Sequence, residues 1–172
     1  RYDESGLHPD EEAPAALVKL ASGAKTVLSS NLPRAVETAR ELTHGAMSVP
    51  SDPLFVEAAL PSPPVPWIRL SPGKWGVVSR VFWFLGYTPA GVESHRQAWR
   101  RVDKIADRLI QHAESGDVLL CAHGYLNWMI DRRLKQSGWR QAESDGGNHY
   151  WSWRVYEPAG ASAPVSAPAV AE

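Results

Sequence analysis

The chain has 172 residues, of which 44% are hydrophobic and 22% are charged, and its formal net charge is −1 at pH 7. This length and composition are ordinary for one globular domain with a core of its own. The near-zero charge gives no electrostatic footprint for nucleic acid, and no apolar run reaches the roughly 18 residues that a membrane-spanning helix needs. We therefore expect a cytoplasmic protein with neither nucleic-acid nor membrane partners, and the single cysteine excludes an intrachain disulfide.

The N-terminal region predicts one short helix after a polar stretch. Residues 1–12 are polar and predicted to be irregular. Pro14–Leu20 is predicted to form a helix, which ends near Gly23.

The segment Thr26–Thr43 predicts a strand that runs directly into a helix. An apolar run, Thr26–Ser29, ends at small polar residues, and Pro33 then opens a helix, where its missing N–H is not needed. Arg34 lies in the first turn, where free backbone N–H groups and the helix dipole favour an anion. Its guanidinium adds donors that match phosphate oxygens. The segment therefore predicts half of an anion site, although a surface arginine on an ordinary helix fits the local sequence too.

The middle of the chain is less regular. A short strand is predicted within Met47–Val56, interrupted by Pro50 and Pro53. The five prolines of Pro61–Pro72 exclude a regular helix or a central strand. Gly73–Gly86 is dense in apolar and aromatic residues, which predicts a helix packed in the core. A lid over a substrate and an oligomer contact are the alternatives for this Trp-rich helix, so a homo-oligomer is left open.

A long amphipathic helix is predicted over Glu93–Ala113. Its apolar stripe consists of Trp99, Val102, Ile105, Ala106, Leu109, Ile110 and Ala113. The basic pair Arg100–Arg101, like Arg132–Arg133 in a later helix, is expected on a solvated face.

A second strand-to-helix unit follows, with a strand at Val118–Cys121 and a helix at Tyr125–Lys135. His123 lies at the carboxyl end of this strand, where open α/β sheets place their ligands. Gly124 would let a ligand approach the backbone. If the two predicted strands are neighbours in the sheet, the turns that carry Arg34 and His123 lie side by side. Cys121 is expected to be a small core residue, and a Cys–His nucleophile pair is a minor alternative.

The last predicted strand is Asn148–Tyr156, and the Ala/Pro/Ser-rich tail Pro158–Glu172 is expected to be disordered. Residues 1–157 are thus expected to form a single domain. The alternation of strands and helices predicts the α/β class with a three-layer α/β/α sandwich.

Four segments resemble, in order, the histidine phosphatase (phosphoglycerate mutase-like) superfamily. They are SSNLPRAVETA at Ser29–Ala39, FVEAALP at Phe55–Pro61, GVESH at Gly91–His95 and VLLCAHG at Val118–Gly124. The resemblance implies a phosphoglycerate mutase-like fold and a phosphomonoester hydrolase that works through a phosphohistidine intermediate. It implies a small phosphorylated substrate or inorganic phosphate as ligand, and neither a metal nor another cofactor.

The resemblance also assigns roles to particular residues. Arg34 matches the second phosphate-binding arginine, and His123, followed by Gly124, matches the second, non-nucleophilic histidine. Glu57 is the best match to the carboxylic acid that protonates the leaving oxygen. Glu93 is a weaker match to that acid or to a supporting residue.

The first motif of the family, Arg-His-Gly after the first strand, does not occur in the sequence. His8 is followed by Pro9, and no apolar strand precedes it, so it is a poor nucleophile candidate. We expect that the chain is truncated with respect to the first strand and the nucleophile, and that hydrolysis is impaired or absent. The alternative is a non-catalytic module that binds phosphate or a partner.

Overall fold

The structure, a computed structural model, describes residues 12–62, 71–147 and 149–160. Its helices are α1 (Ala15–Gly23), α2 (Pro33–Leu42), α3 (Pro72–Phe84), α4 (His95–Ala113) and α5 (Gly124–Gln136). Its strands are β1 (Thr26–Ser30), β2 (Ser51–Asp52), β3 (Val118–Cys121), β4 (Trp139–Asp145) and β5 (Trp153–Pro158), and Pro53–Phe55 form a single 3₁₀ turn. The predictions for residues 1–11, which include His8, and for residues 63–70, 148 and 161–172 lie outside the described residues.

The first three strands form a parallel sheet in the order β2-β1-β3. Thr26 pairs with Val118 and Ser29 with Cys121, so β1 is a direct neighbour of β3 over the whole length of β3. The two strands are therefore neighbours, which is the condition under which the turns that carry Arg34 and His123 lie side by side. Because the strands are parallel, the residues that follow Ser30 and Cys121 emerge at the same edge of the sheet.

Helices cover both faces of this sheet, because successive strand residues point to opposite sides. Val27 and Cys121 pack against α1 and α2, whereas Leu28 faces α4 and α5. The second face holds the larger core, whose fully buried members include Phe55, Trp83, Ala98, Val102, Ile105, Leu126 and Met129. Burial of each large apolar side chain contributes about 1.5–3 kcal/mol. The predicted three-layer α/β sandwich is confirmed.

Helix α4 begins at His95, two residues later than predicted, because Ser94 and Gln97 form a capping box. The Ser94 hydroxyl accepts a hydrogen bond from the Gln97 N–H, and the Gln97 side chain accepts one from the Ser94 N–H. The middle of the predicted stripe is buried, but the prediction of a solvated face is wrong for Arg101. Its side chain is only 13% exposed and pairs with Glu93.

The expectation that the Trp-rich helix packs in the core is correct for only part of α3. Trp83 is fully buried, and its indole N–H donates to the carbonyl oxygen of Glu93 at 2.8 Å. The side chains on the opposite face are at least half exposed: Val77, Val81, Phe84 and the next residue, Leu85. The hydrophobic residues all around this segment predicted a helix buried on every side, whereas the described residues bury only one side of α3.

The C-terminal part forms an antiparallel hairpin of β4 and β5, separate from the parallel sheet. The strand predicted to begin at residue 148 begins at Trp153 instead, because Trp151 adopts a left-handed backbone conformation, with φ of 60°, in the turn before it. Strand β5 extends to Pro158, the residue at which the tail was expected to begin. Strand β4 was not predicted, since its sequence WRQAESD is mostly polar. No helix within the described ranges combines the length and apolar character that crossing a bilayer requires.

Candidate functional site

The candidate site lies at the carboxyl edge of the parallel sheet, where β1 leads into α2 and β3 leads into α5. Ligands of open α/β sheets bind in this position, beyond the ends of the strands. Arg34 is the second residue of α2, and His123 is the N-cap residue of α5. Both side chains therefore start from adjacent, sheet-anchored turns.

Arg34 and His123 are in direct contact across this edge. Nη2 of Arg34 lies 3.2 Å from Nδ1 of His123, which is within hydrogen-bonding distance. His123 is buried, with 4% of its surface exposed, and Arg34 is half-buried. The structure thus brings together the two residues that the sequence singled out for anion binding, although they are 89 positions apart.

Ser30, which the sequence interpretation missed, completes this group. Its hydroxyl lies 2.8 Å from Nε2 of His123, and the residue is fully buried at the end of β1. Its oxygen also accepts a hydrogen bond from the Leu32 N–H at 3.3 Å. A serine at the end of a buried strand needs a hydrogen-bond partner, and that requirement is a signal in the sequence that could have identified it.

The carboxylate of Glu57 contacts the first turn of α5, at the two residues that follow Gly124. Its Oε1 accepts hydrogen bonds from the backbone N–H groups of Ala58 at 2.8 Å and Leu126 at 2.9 Å. Its Oε2 accepts one from the N–H of Tyr125 at 3.2 Å. The side chain of His123 makes no capping bond to its own helix, so Glu57 supplies acceptors for N–H groups that lack an intrahelical partner.

Two arginines hold the backbone on either side of Glu57. Arg101 of α4 donates from Nη1 to the carbonyl oxygens of Leu54 and Val56, both at 2.8 Å. Arg80 of α3 donates to the carbonyl oxygens of Ala58 at 3.1 Å and Ala59 at 2.7 Å. The four carbonyl groups flank Glu57, so the two guanidinium groups form a clamp that fixes its position.

Each clamping arginine is itself held in place. Glu93 binds Arg101 through both carboxylate oxygens, at 2.8 and 2.7 Å. In the described contacts Glu93 therefore supports Arg101 and does not touch His123. The guanidinium of Arg80 stacks on the Tyr125 ring, 3.7 Å from its centroid. Burial lowers the pKa of Arg80. Neither Arg80 nor Arg101 was identified from the sequence, because both act on backbone atoms of a distant segment.

A third arginine fixes the start of the same segment. Arg108 of α4 donates to Asp52 at 2.6 Å, and the other oxygen of Asp52 accepts the N–H of Leu54 at 2.8 Å. The Leu54 N–H, and then the Arg108 side chain, lower the pKa of the Asp52 carboxyl. The irregular chain that carries Glu57 is therefore anchored by side chains from helices on one face of the sheet.

Gly124 begins α5 next to His123 and faces open space. Its backbone is not in the left-handed region, and no atom lies within 4 Å of the point that a Cβ would occupy. The fold itself therefore does not require glycine here. The open space is consistent with the predicted approach of a ligand to this backbone.

Cys121 is a buried free cysteine in β3, as predicted. Burial raises the pKa of its thiol to about 12, so the thiolate that a Cys–His nucleophile pair needs does not form at neutral pH. Among residues 12–62, 71–147 and 149–160, no three His, Cys, Asp or Glu side chains are grouped as metal ligands would be.

Comparisons with known proteins agree with this architecture. The sequence model of the histidine phosphatase superfamily (branch 1) matches residues 10–163. Two solved structures share the fold. Mycobacterial hydrolase 1 is 18% identical with a TM-score of 0.51, and the match covers 94% of this chain and 92% of that one. Mycobacterial hydrolase 2 is 20% identical with a TM-score of 0.50, over 95% and 86% of the two chains. No curated protein sequence matches the chain.

Proposed function

Because this chain belongs to the histidine phosphatase superfamily, we propose that it carries a phosphomonoester site in which Arg34 and His123 bind the phosphoryl group. Membership suggests phosphatase-type activity, and the proposal specifies hydrolysis through a phosphohistidine intermediate. The ligand would be a small phosphorylated substrate or inorganic phosphate. The observation that carries the proposal is the 3.2 Å contact of Arg34 with His123 at the carboxyl edge of the sheet.

Arg34 would turn its planar donors to two phosphate oxygens, and His123 would donate a hydrogen bond to a third. Bonds from a charged donor to phosphate are about twice as strong as neutral ones. Arg34 also stands at the start of a helix whose N-cap residue, Leu32, has no capping side chain. In a site where water is scarce, such donors stabilise the charge that develops in the transition state.

Glu57 would protonate the leaving oxygen of the substrate. Its Oε1 accepts from two N–H donors, whereas within the described ranges Oε2 accepts a single, longer contact from the Tyr125 N–H. Oε2 is therefore the oxygen that can carry a transferable proton. Gly124, which lies between His123 and Tyr125, would leave room for the substrate beside it.

The attacking histidine has to come from outside the four matching segments, since Arg-His-Gly does not occur in the sequence. Among the described strands, β3 pairs only with β1, and its other edge has no strand partner. A further parallel strand on that edge would end beside His123. We propose that a strand in this position supplies the nucleophile.

A second candidate function is a non-catalytic module that binds phosphate. The absence of an Arg-His-Gly motif from the sequence favours it, because Arg34 and His123 can hold an anion without a nucleophile. The two candidates share the binding site and differ only in turnover.

Calorimetric titration with inorganic phosphate tests the shared site. We expect Arg34→Ala and His123→Ala to weaken binding at least about tenfold, as the loss of a charge-assisted hydrogen bond implies. Arg40→Ala, an exposed arginine on the same helix, and His112→Ala on α4 are matched controls that should leave affinity unchanged. Absence of phosphate binding in the unmodified chain would contradict both candidate functions.

Turnover of a generic aryl phosphate at mildly acidic pH separates the two candidates. Hydrolysis that is lost in Arg34→Ala and His123→Ala supports the phosphatase, and binding without hydrolysis supports the non-catalytic module. Hydrolysis that survives both substitutions would place the reaction elsewhere and refute the site.

A further inference from the structure

We infer that Ser30 is a positioning residue that holds His123 in the tautomer with its proton on Nε2. The unprotonated Nδ1 then faces Arg34 and the phosphate position. The contact lies inside the protein, because Ser30 is fully buried and His123 is 4% exposed. The functional meaning of the inference rests on the proposed phosphate site. The tautomer itself can be measured without any ligand.

The assignment follows from the donors and acceptors that surround the imidazole ring. A guanidinium group has only donors, so its contact with Nδ1 requires a lone pair on that nitrogen. The proton of the neutral ring is then on Nε2, which donates to the Ser30 oxygen at 2.8 Å. The opposite tautomer would point an N–H at the guanidinium group and is therefore disfavoured.

The same arrangement suits the phosphate-bound state. When Arg34 turns to the anion, Nδ1 faces a phosphate oxygen and must gain a proton before it can donate a hydrogen bond to that oxygen. A dihydrogen phosphate ion can supply the proton, which moves from its oxygen to Nδ1 and leaves hydrogen phosphate beside an imidazolium ring. Nε2 carries its proton before and after this transfer, so Ser30 remains its acceptor and the ring need not turn over.

Removal of the hydroxyl would take from the buried Nε2–H the acceptor that Ser30 provides. Loss of a buried hydrogen bond is unfavourable, so we expect the ring to change its tautomer or its orientation. Ser29 is a matched control, since it is equally buried on the same strand and its hydroxyl donates to the Ser30 carbonyl oxygen at 2.9 Å. Ser30→Thr keeps a hydroxyl at the same place and is the conservative rescue.

Nitrogen-15 NMR of the ligand-free protein tests the tautomer. The His123 signals are assigned by their loss in His123→Gln, which distinguishes them from those of the other five histidines. We expect a protonated Nε2 and an unprotonated Nδ1 in the unmodified chain, Ser29→Ala and Ser30→Thr, and a changed pattern in Ser30→Ala. A protonated Nδ1 with a bare Nε2 in the unmodified chain would overturn the inference, whether or not Ser30→Ala folds.

Phosphate titration of the same variants tests the effect on binding. We expect Ser30→Ala to weaken phosphate binding about fivefold, the effect of losing one buried hydrogen bond, with recovery in Ser30→Thr and no change in Ser29→Ala. Unchanged affinity and tautomer in a folded Ser30→Ala variant would overturn the inference. Failure of the unmodified chain to bind phosphate would refute the proposed function instead, and the ligand-free spectra would still decide the tautomer.

Discussion

The two sides of the candidate site are supported differently. Arg34 and His123 follow paired parallel strands, so the hydrogen bonds between β1 and β3 fix the turns that carry them. Glu57 lies in an irregular segment whose backbone is held by arginine side chains from α3 and α4. A strand pair distributes its support over many backbone bonds, whereas each arginine is a single point of support. Single substitutions should therefore disturb the Glu57 side more than the Arg34–His123 side.

The largest effect is expected for Arg101→Ala. The substitution leaves the Glu93 carboxylate, 24% exposed, without its partner and removes the donors to Leu54 and Val56. Breaking a buried ion pair costs about 3–5 kcal/mol, and we expect about 3 kcal/mol here in urea unfolding. Phosphate affinity should change less than about twofold, because the substitution does not touch the strand-supported side.

Arg100→Ala is the matched control for this measurement, since Arg100 is the exposed neighbour on the same helix. Its effect on the free energy of unfolding should stay within about 0.5 kcal/mol. Equal destabilisation by the two substitutions would refute the clamp. Loss of phosphate binding in folded Arg101→Ala would show that the two sides do not rest on separate supports.

A smaller effect is expected for Glu57→Ala, which removes the acceptors of the Tyr125 and Leu126 N–H groups at the start of α5 and of the Ala58 N–H. Loss of a helix cap costs about 1 kcal/mol. The backbone amide of Leu126 should also exchange faster with deuterated water. Glu41→Ala, on the exposed end of α2, provides the control. An unchanged exchange rate at Leu126 would mean that Glu57 does not cap α5 in solution.

The smallest effect concerns acid stability and Asp52. The pKa of its carboxyl is held below the ordinary value of 3.8 by the Leu54 N–H and by Arg108. Because the pKa of Asp52 is lower in the folded chain, acid protonates this carboxyl more readily in the unfolded chain. The stability that this carboxylate contributes is therefore present above pH 3.8 and is lost as pH falls through the folded-state pKa.

Asp52→Asn should remove this part of the acid dependence. We expect urea unfolding to show that acidification from roughly pH 5 to roughly pH 3 destabilises the unmodified chain more than Asp52→Asn. The exposed Asp107 supplies the control, as Asp107→Asn should keep the original acid dependence. Parallel stability curves for the unmodified chain and Asp52→Asn would contradict the proposed contribution of this carboxylate.

The features that the sequence predicted are those set by local chemistry. The apolar runs before Arg34 and His123 indicated strands, and the following Pro33 and Gly124 indicated turns into helices. Parallel pairing of those strands then explains why the two residues meet, whereas the sequence left this pairing as a condition. The roles of Arg34, Glu57, His123 and Gly124 in phosphate chemistry stay predictions.

The features that were missed depend on contacts between distant segments. Arg101 lies among charged residues of α4, and only the fold shows that it faces backbone carbonyls of residues 54 and 56. Strand β4 has little hydrophobic pattern, and its pairing with β5 stabilises it instead. The outward face of α3 is as apolar as its buried face, so composition alone could not separate the two.

The parallel pairing of β1 with β3 also has a consequence for folding kinetics. Thr26 and Val118 are joined only after about ninety residues of intervening chain have been brought into a loop, and contacts so distant in sequence slow folding. The contact of Arg34 with His123 closes a loop of similar length, so its formation carries a similar entropic cost. An anion that bridges the two side chains would bind the completed fold alone and raise its unfolding midpoint, by an amount that grows with the logarithm of the anion concentration above the dissociation constant.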